Sequence, residues 1–211
     1  MHYDADCDGT GFDVDYDQDN TTIQFNYSHD NEGGFILLCT DDEARTADVR
    51  FNLSVDDAAM FHESPCKITG GQIGTLDGLR AYNNTFLTPT SGVITPPSGL
   101  EIPGLLQTGD FQFKNNIVYG TRDIATPFGC GTNCSHNLFW RLPTSGTNAV
   151  SADPEFRKPD ARRGGLFPGA KPLRLREGSP ALAAGAPIPG SPSSDYFGEP
   201  VPEVPAIGFA Q

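Results

Sequence analysis

The chain opens on an acidic run, DADCDG, that sets Asp4, Asp6 and Asp8 at alternate positions ahead of Gly9. Hard oxygen ligands at that spacing, with a glycine to turn the loop and Asp15 at the twelfth position, match the needs of a calcium loop. Asp15 replaces the usual bidentate Glu, and no flanking helix is evident. Calcium held by Asp4, Asp6 and Asp8 is the expectation, and a solvated acidic loop is the plain alternative. The next segment, FDVDYD, alternates. As a strand it puts Phe12, Val14 and Tyr16 on one face and Asp13, Asp15 and Asp17 on the other. Two strand rises set neighbouring carboxylates about 6.6–7 Å apart. That overlaps the ~6.5–9.5 Å separation of inverting glycoside hydrolases. Asp13 and Asp15 are therefore the candidate acid and base for hydrolysis of a glycosidic bond.

His62 joins them by register. Segments aligned on their asparagines place Phe35 over Phe61, so Phe12, Phe35 and Phe61 are expected to form one internal stack. Asp13, Ile36 and His62 then make an outward row, and Asp15, Leu38 and Ser64 the neighbouring one. Two strand spacings put Asp13 and His62 about 9–10 Å apart, room for a sugar between an acid and an imidazole. Glu63 falls inward, where a carboxylate is costly, unless it is paired or the strand ends first, as Pro65 favours. The candidate catalytic set is Asp13, Asp15, His62 and Glu63. The turn SHDNEGG adds Asp30 and Glu32, and Trp140 beside Arg141 adds a ring for stacking on sugar. These three are the candidate substrate-binding residues, although Asp30 and Asp56 align at a spacing of 26, as structural turn residues do. Arg80 and Lys114 are further candidates as a lyase base or substrate clamp, with an outward structural role the plainer reading.

Other chemistries drop out. No G-x-S-x-G elbow, P-loop, H-E-x-x-H motif or dinucleotide glycine fingerprint occurs. The formal charge of −13 opposes a phosphate backbone, so nucleic acid is a poor partner. That charge is concentrated: residues 1–63 carry 16 of the 27 acids and only Arg45 and Arg50 as bases. No stretch of about 18 apolar residues is present to span a membrane.

The elements that must position these residues are short strands. The 211 residues suggest one domain, and 37% hydrophobic content supports a core. With 24 Gly and 18 Pro the chain is rich in turns, and helical periodicity is scarce. Five segments share one pattern: IQFNYS, VRFNLS, AYNNTF, FKNNIV and CSHNLF, centred on Asn26, Asn52, Asn84, Asn116 and Asn137. Their spacings of 26, 32, 32 and 21 fit coils with variable loops rather than a strict helical repeat. Asn suits a bend between two strands, because it tolerates left-handed backbone geometry and bonds locally. Stacked in successive coils, the five can bond to one another as an asparagine ladder.

These segments resemble a family. FNYSHDNEGGFILLC (25–39) and FKNNIVYG (113–120) look like coils of secreted right-handed parallel β-helix proteins of the pectate-lyase-like superfamily. ADPEF (152–156), LREGSPALAAGAP (175–187), DYFGEPVP (195–202) and IGFAQ (207–211) resemble that family's ending, with Ala184 where the family often has Asp. The acid motifs of polygalacturonase-type members are absent. The resemblance implies an all-β, right-handed parallel β-helix of about five or six coils. It divides the chain into residues 1–11 (acidic segment or remnant cap), 12–150 (coils) and 151–211, a capping tail with 11 of the 18 prolines.

The five cysteines, Cys7, Cys39, Cys66, Cys130 and Cys134, contain no CxxC pair. Two bridges and a leftover thiol fit a secreted protein, and CGTNC is spaced to close a small loop. MHYDADCDG shows no signal peptide, so secretion implies a trimmed or fragmentary chain. The expected function is extracellular polysaccharide hydrolysis. The alternatives are a non-catalytic carbohydrate-binding or structural module, a fragment of a larger enzyme, or a calcium-assisted lyase.

Overall fold

The computed structural model describes residues 9–15, 18–39, 46–63, 78–88, 111–125, 130–158 and 169–211. Fourteen strands and no α-helix occur among them. The strands form three parallel sheets. Sheet A holds β1 (Thr10–Asp15), β4 (Gly34–Cys39) and β7 (Phe61–Glu63). Sheet B holds β2 (Thr21–Gln24), β5 (Ala47–Arg50), β8 (Leu79–Tyr82), β10 (Gln112–Lys114) and β12 (Cys134–Ser135). Sheet C holds β3 (Tyr27–His29), β6 (Leu53–Val55), β9 (Thr85–Thr88), β11 (Ile117–Gly120), β13 (Leu138–Trp140) and β14 (Val150–Ser151). From β1 to β9 the chain visits A, B and C in rotation, and each strand pairs in parallel with its counterpart from the next visit. This all-β parallel arrangement is compatible with a β-helix-like fold. No helix among the described residues is long and apolar enough to cross a membrane.

The corner between sheets B and C carries the asparagines. Asn26 donates from its backbone N and its Nδ2 to Asn52 Oδ1, at 3.0 and 3.1 Å. Asn52 does the same to Asn84, Asn84 to Asn116, and Asn116 to Asn137. Asn52, Asn84, Asn116 and Asn137 also donate from Nδ2 to the carbonyls of Ile23, Val49, Ala81 and Phe113. All four are fully buried. The ladder thus satisfies amide groups that would each cost about 1–3 kcal/mol if left orphaned. The left-handed residue of each corner is not the ladder Asn but the residue before it: Phe25, Phe51, Asn83, Asn115 and His136, all near φ +50 to +60. Phe25 and Phe51 are bulky side chains that normally avoid this region; the Phe25 ring lies tilted against Phe51, and Phe51 meets Tyr82 edge to face, with centroids 5.9 and 6.4 Å apart.

The middle strands of sheet C, β6, β9 and β11, are buried on both faces. Ser54, Phe86, Val118 and Phe139 alternate with Leu53, Val55, Leu87, Ile117, Tyr119 and Leu138. Phe86, Val118 and Phe139 join the interior cluster, together with Ile23, Val49, Ala81 and Phe113 of sheet B and Ile36 and Leu38 of sheet A. The second set packs with Phe156, Leu173, Leu175, Ala181, Ile207 and Phe209 of the Pro-rich tail. Asn83 and Asn115 hold this tail at the corner: Asn83 Nδ2 donates to the carbonyls of Ala206 and Gly208, and Asn115 Nδ2 to that of Ala186.

Sheet A departs from the expected register. Ile36, not Phe35, pairs with Phe61, and Phe12 pairs with Ile36. One residue fewer separates Asn52 from Phe61 than separates Asn26 from Ile36, so the 26-residue period of the corner is lost one sheet later. Ile36 and Leu38, expected to face outward, are fully buried in the core. The expected three-ring stack is replaced by a chain of rings: Phe12 on Phe35, Phe35 on Phe86, Phe86 on Phe61, with centroids 5.5, 5.8 and 6.3 Å apart.

Candidate functional site

Two outer faces carry polar residues. On sheet A, β1 sends Phe12 and Val14 toward the core and leaves Asp13 exposed. Its Oδ1 accepts a bond from Thr10 Oγ1 at 2.8 Å. Asp13 pairs in register with Leu37, and Leu37 with His62, so Asp13 and His62 share one row with Leu37 between them. The two register errors cancel, and the row survives with a different middle residue. Two strand spacings set its ends about 9–10 Å apart. Leu37 is only 3% exposed. Asp15 pairs with Cys39. Glu63 lies within β7, so the strand does not end before it, and it shares its row with Val14 and Leu38. The side chains of Asp15, His62 and Glu63 lie outside the described residues, as do Asp4, Asp6 and Asp8 altogether. Among the described residues no cluster of three or more metal-ligating side chains occurs.

Asp30 and Glu32 are exposed in the turn between β3 and β4. Asp30 sits at φ +56, its N–H bonds to the Val55 carbonyl, and its carboxylate lies 2.8 Å from His29 Nδ1. Asp56 repeats the geometry one visit later, at φ +54 with its N–H on the Leu87 carbonyl. Beside them Asp57 is buried, accepting from Ser54 Oγ and from both N and Nδ2 of Asn31. Trp140 is on β13, half-buried against the tail-facing cluster, with β6, β9 and β11 between its strand and β3. The structure therefore brings Asp13 and His62 into one row and Asp30 and Glu32 into one turn, and keeps Trp140 apart from both.

The outer face of sheet B is the best-defined polar surface. Ile23, Val49, Ala81 and Phe113 point inward, so their neighbours form two outward rows. Thr22, Asp48, Arg80 and Gln112 make one, and Gln24, Arg50, Tyr82 and Lys114 the other. Arg80 grips Asp48 with two bonds, Nε to Oδ1 and Nη2 to Oδ2, both 2.6 Å. Arg50 reaches Asp48 Oδ2 at 3.2 Å, Gln24 Oε1 at 2.8 Å and Tyr82 Oη at 2.8 Å. Lys114 Nζ donates to Gln112 Oε1. The bond to Asp48 holds the Arg80 guanidinium above its ordinary pKa, against an opposing effect of burial. Burial pushes the Tyr82 phenol up, and the bond from Arg50 partly offsets it.

The tail borders this face. Arg50 Nη1 donates to the Gly190 carbonyl and Arg80 Nη1 to that of Pro189, at 3.1 and 3.3 Å. Across the strand starts lies a cleft of about 450 Å³, lined by Asn20, Thr21, Thr22, Thr46, Ala47, Asp48, Gly78, Arg80 and Gln112. Asp48 and Gln112 were not among the expected site residues. Their signal was the polar–apolar–polar triplet ending two residues before each ladder Asn: TIQ, DVR, RAY and QFK. No protein-family model matches the chain, and no curated protein matches it.

Proposed function

We propose that this chain is a carbohydrate-active protein of the extracellular space, built as a right-handed parallel β-helix of about five or six coils with its Pro-rich tail as a cap. It hydrolyses a glycosidic bond of a polysaccharide at the outer face of sheet A. Asp13 and Asp15 serve as acid and base, with His62 assisting and Asp30 and Glu32 binding substrate; Glu63, in the row of the core residues Val14 and Leu38, has no part at this face. The observation that carries this reading is Asp13. It stands exposed between core residues, in one register row with His62, at a separation that admits a sugar. Calcium at Asp4, Asp6 and Asp8 belongs to the same reading, and a melting temperature unchanged between calcium and chelator removes it. The test of the catalytic assignment is mutational. Asp13→Asn and Asp15→Asn should each lower turnover of a proven substrate by about 10²–10⁴-fold. Full turnover by both variants rejects it.

A second reading is a binding module without catalysis. The continuous polar face of sheet B favours it, because parallel rows of hydroxyl, amide and charged groups suit a glycan chain without supplying a paired acid and base. A lyase reading fits less well. It needs a cation to neutralise a uronate, and Arg50 and Arg80 are already bonded to Asp48, to Gln24 and Tyr82, and to tail carbonyls.

A further inference from the structure

We propose that the cleft on sheet B is a second carbohydrate site, separate from the face that bears Asp13, and that it takes a neutral glycan in preference to an acidic one. The inference rests on the carbohydrate reading above. Its volume of about 450 Å³ falls within the ~300–1,000 Å³ of small-molecule sites. Its floor is the row Thr22–Asp48–Arg80–Gln112, one polar side chain per strand at about 4.8 Å intervals. Its rim adds Asn20, Thr21 and Thr46.

Hydrogen-bond accounting decides the ligand's charge. Every nitrogen of Arg80 already has an acceptor, in Asp48 or the Pro189 carbonyl. Arg50 is bound to Gln24, Asp48, Tyr82 and Gly190. Among the charged residues that line the cleft, Asp48 already neutralises Arg80, so a uronate carboxylate would find no unpaired charge there and would meet the Asp48 carboxylate in the same row. A neutral sugar brings only hydroxyls, each a donor and an acceptor. It needs partners of both kinds and no net charge. The Thr22 hydroxyl can donate and accept, the Thr21 and Thr46 hydroxyls, which donate to Gln18 and Asn20, can still accept, the Asn20 and Gln112 amides keep N–H donors, and Asp48 accepts. No aromatic ring lines the cleft among the described residues: Tyr82 lies in the neighbouring row, buried, with Arg50 and Arg80 about 6 Å from its ring. Binding thus rests on hydrogen bonds alone, and a Kd of about 1 mM is expected.

Saturation-transfer NMR on the intact chain tests this. The probes are neutral gluco-, manno-, galacto- and xylo-oligosaccharides, alongside uronate-bearing oligosaccharides of matched length. At least one neutral oligosaccharide should receive saturation at millimolar concentration, and the uronates less. Thr22→Trp, which fills the cleft from an exposed position, should weaken that signal at least tenfold without lowering the melting temperature, and Thr46→Ala should weaken it less. The proposal is overturned if no neutral oligosaccharide binds, if uronates bind as well, or if Thr22→Trp changes nothing. The two readings fail separately. Binding without any hydrolysis product removes the catalytic assignment and leaves this site. Hydrolysis without cleft binding does the reverse.

Discussion

Sheets B and C meet at the same asparagine corner, yet their outer faces have opposite fates. On sheet C the outward residues are Leu53, Val55, Leu87, Ile117 and Leu138, and the Pro-rich tail packs on them as a second core. On sheet B they are Thr22, Asp48, Arg80 and Gln112, beside Gln24, Arg50, Tyr82 and Lys114. The backbone is the same parallel ladder in both. What differs is side-chain chemistry on one side of the strand. That difference decides which face recruits the rest of the chain and which keeps a polar cleft.

The comparison can be broken at graded cost. The corner that both sheets share should be the most sensitive point. Asn84→Ala removes the acceptor shared by the buried Asn52 backbone N–H and Nδ2 and the Nδ2 donor to the Val49 carbonyl, and is expected to cost about 4 kcal/mol. Melting should drop by roughly 8–16 °C in a chain this long. On the sheet C side, Phe209→Ala opens the tail-facing core for about 3 kcal/mol. Limited proteolysis should then cut within residues 181–211 before the strands; uniform cutting would refute a separately held tail. On the sheet B side, Asp48→Ala leaves Arg50 and Arg80 facing each other, for about 1–2 kcal/mol by denaturant melts.

The smallest effect concerns pH. Tyr27, Tyr82 and Tyr196 are all held above the ordinary tyrosine value of 10.0, chiefly by burial. The folded state keeps protons that the unfolded state gives up. Stability from these groups is therefore complete below pH 10 and declines as pH rises beyond it. Phenolate absorbance should appear later in the folded chain than in the unfolded one; identical titrations would contradict this.

The corner was legible in the sequence because an asparagine recurs at each pass and its chemistry demands a partner of the same kind. The parallel strands followed from it. The register of sheet A was not legible, since the count from Asn26 to β4 differs from that from Asn52 to β7 by one residue and no motif marks the change. The tail's seat on sheet C was hidden for another reason: a Pro-rich segment has no alternation from which to read a face. The outward place of Asp13 emerged from simple alternation, and its shared row with His62 from aligning segments on their asparagines, which held because two one-residue offsets cancel. The Asp48–Arg80 pair emerges only when the triplets before each asparagine are stacked, because neither residue is unusual within its own strand.

The central claim is that this scaffold cleaves a glycan by adding water at the face bearing Asp13. The most direct measurement is mass spectrometry of products from a panel of neutral and acidic polysaccharides, comparing the intact chain with Asp13→Asn, with and without calcium. The account predicts products carrying one added water from the intact chain and at least a hundredfold fewer from the variant. Unsaturated products, or equal hydrolysis by the variant, would contradict it.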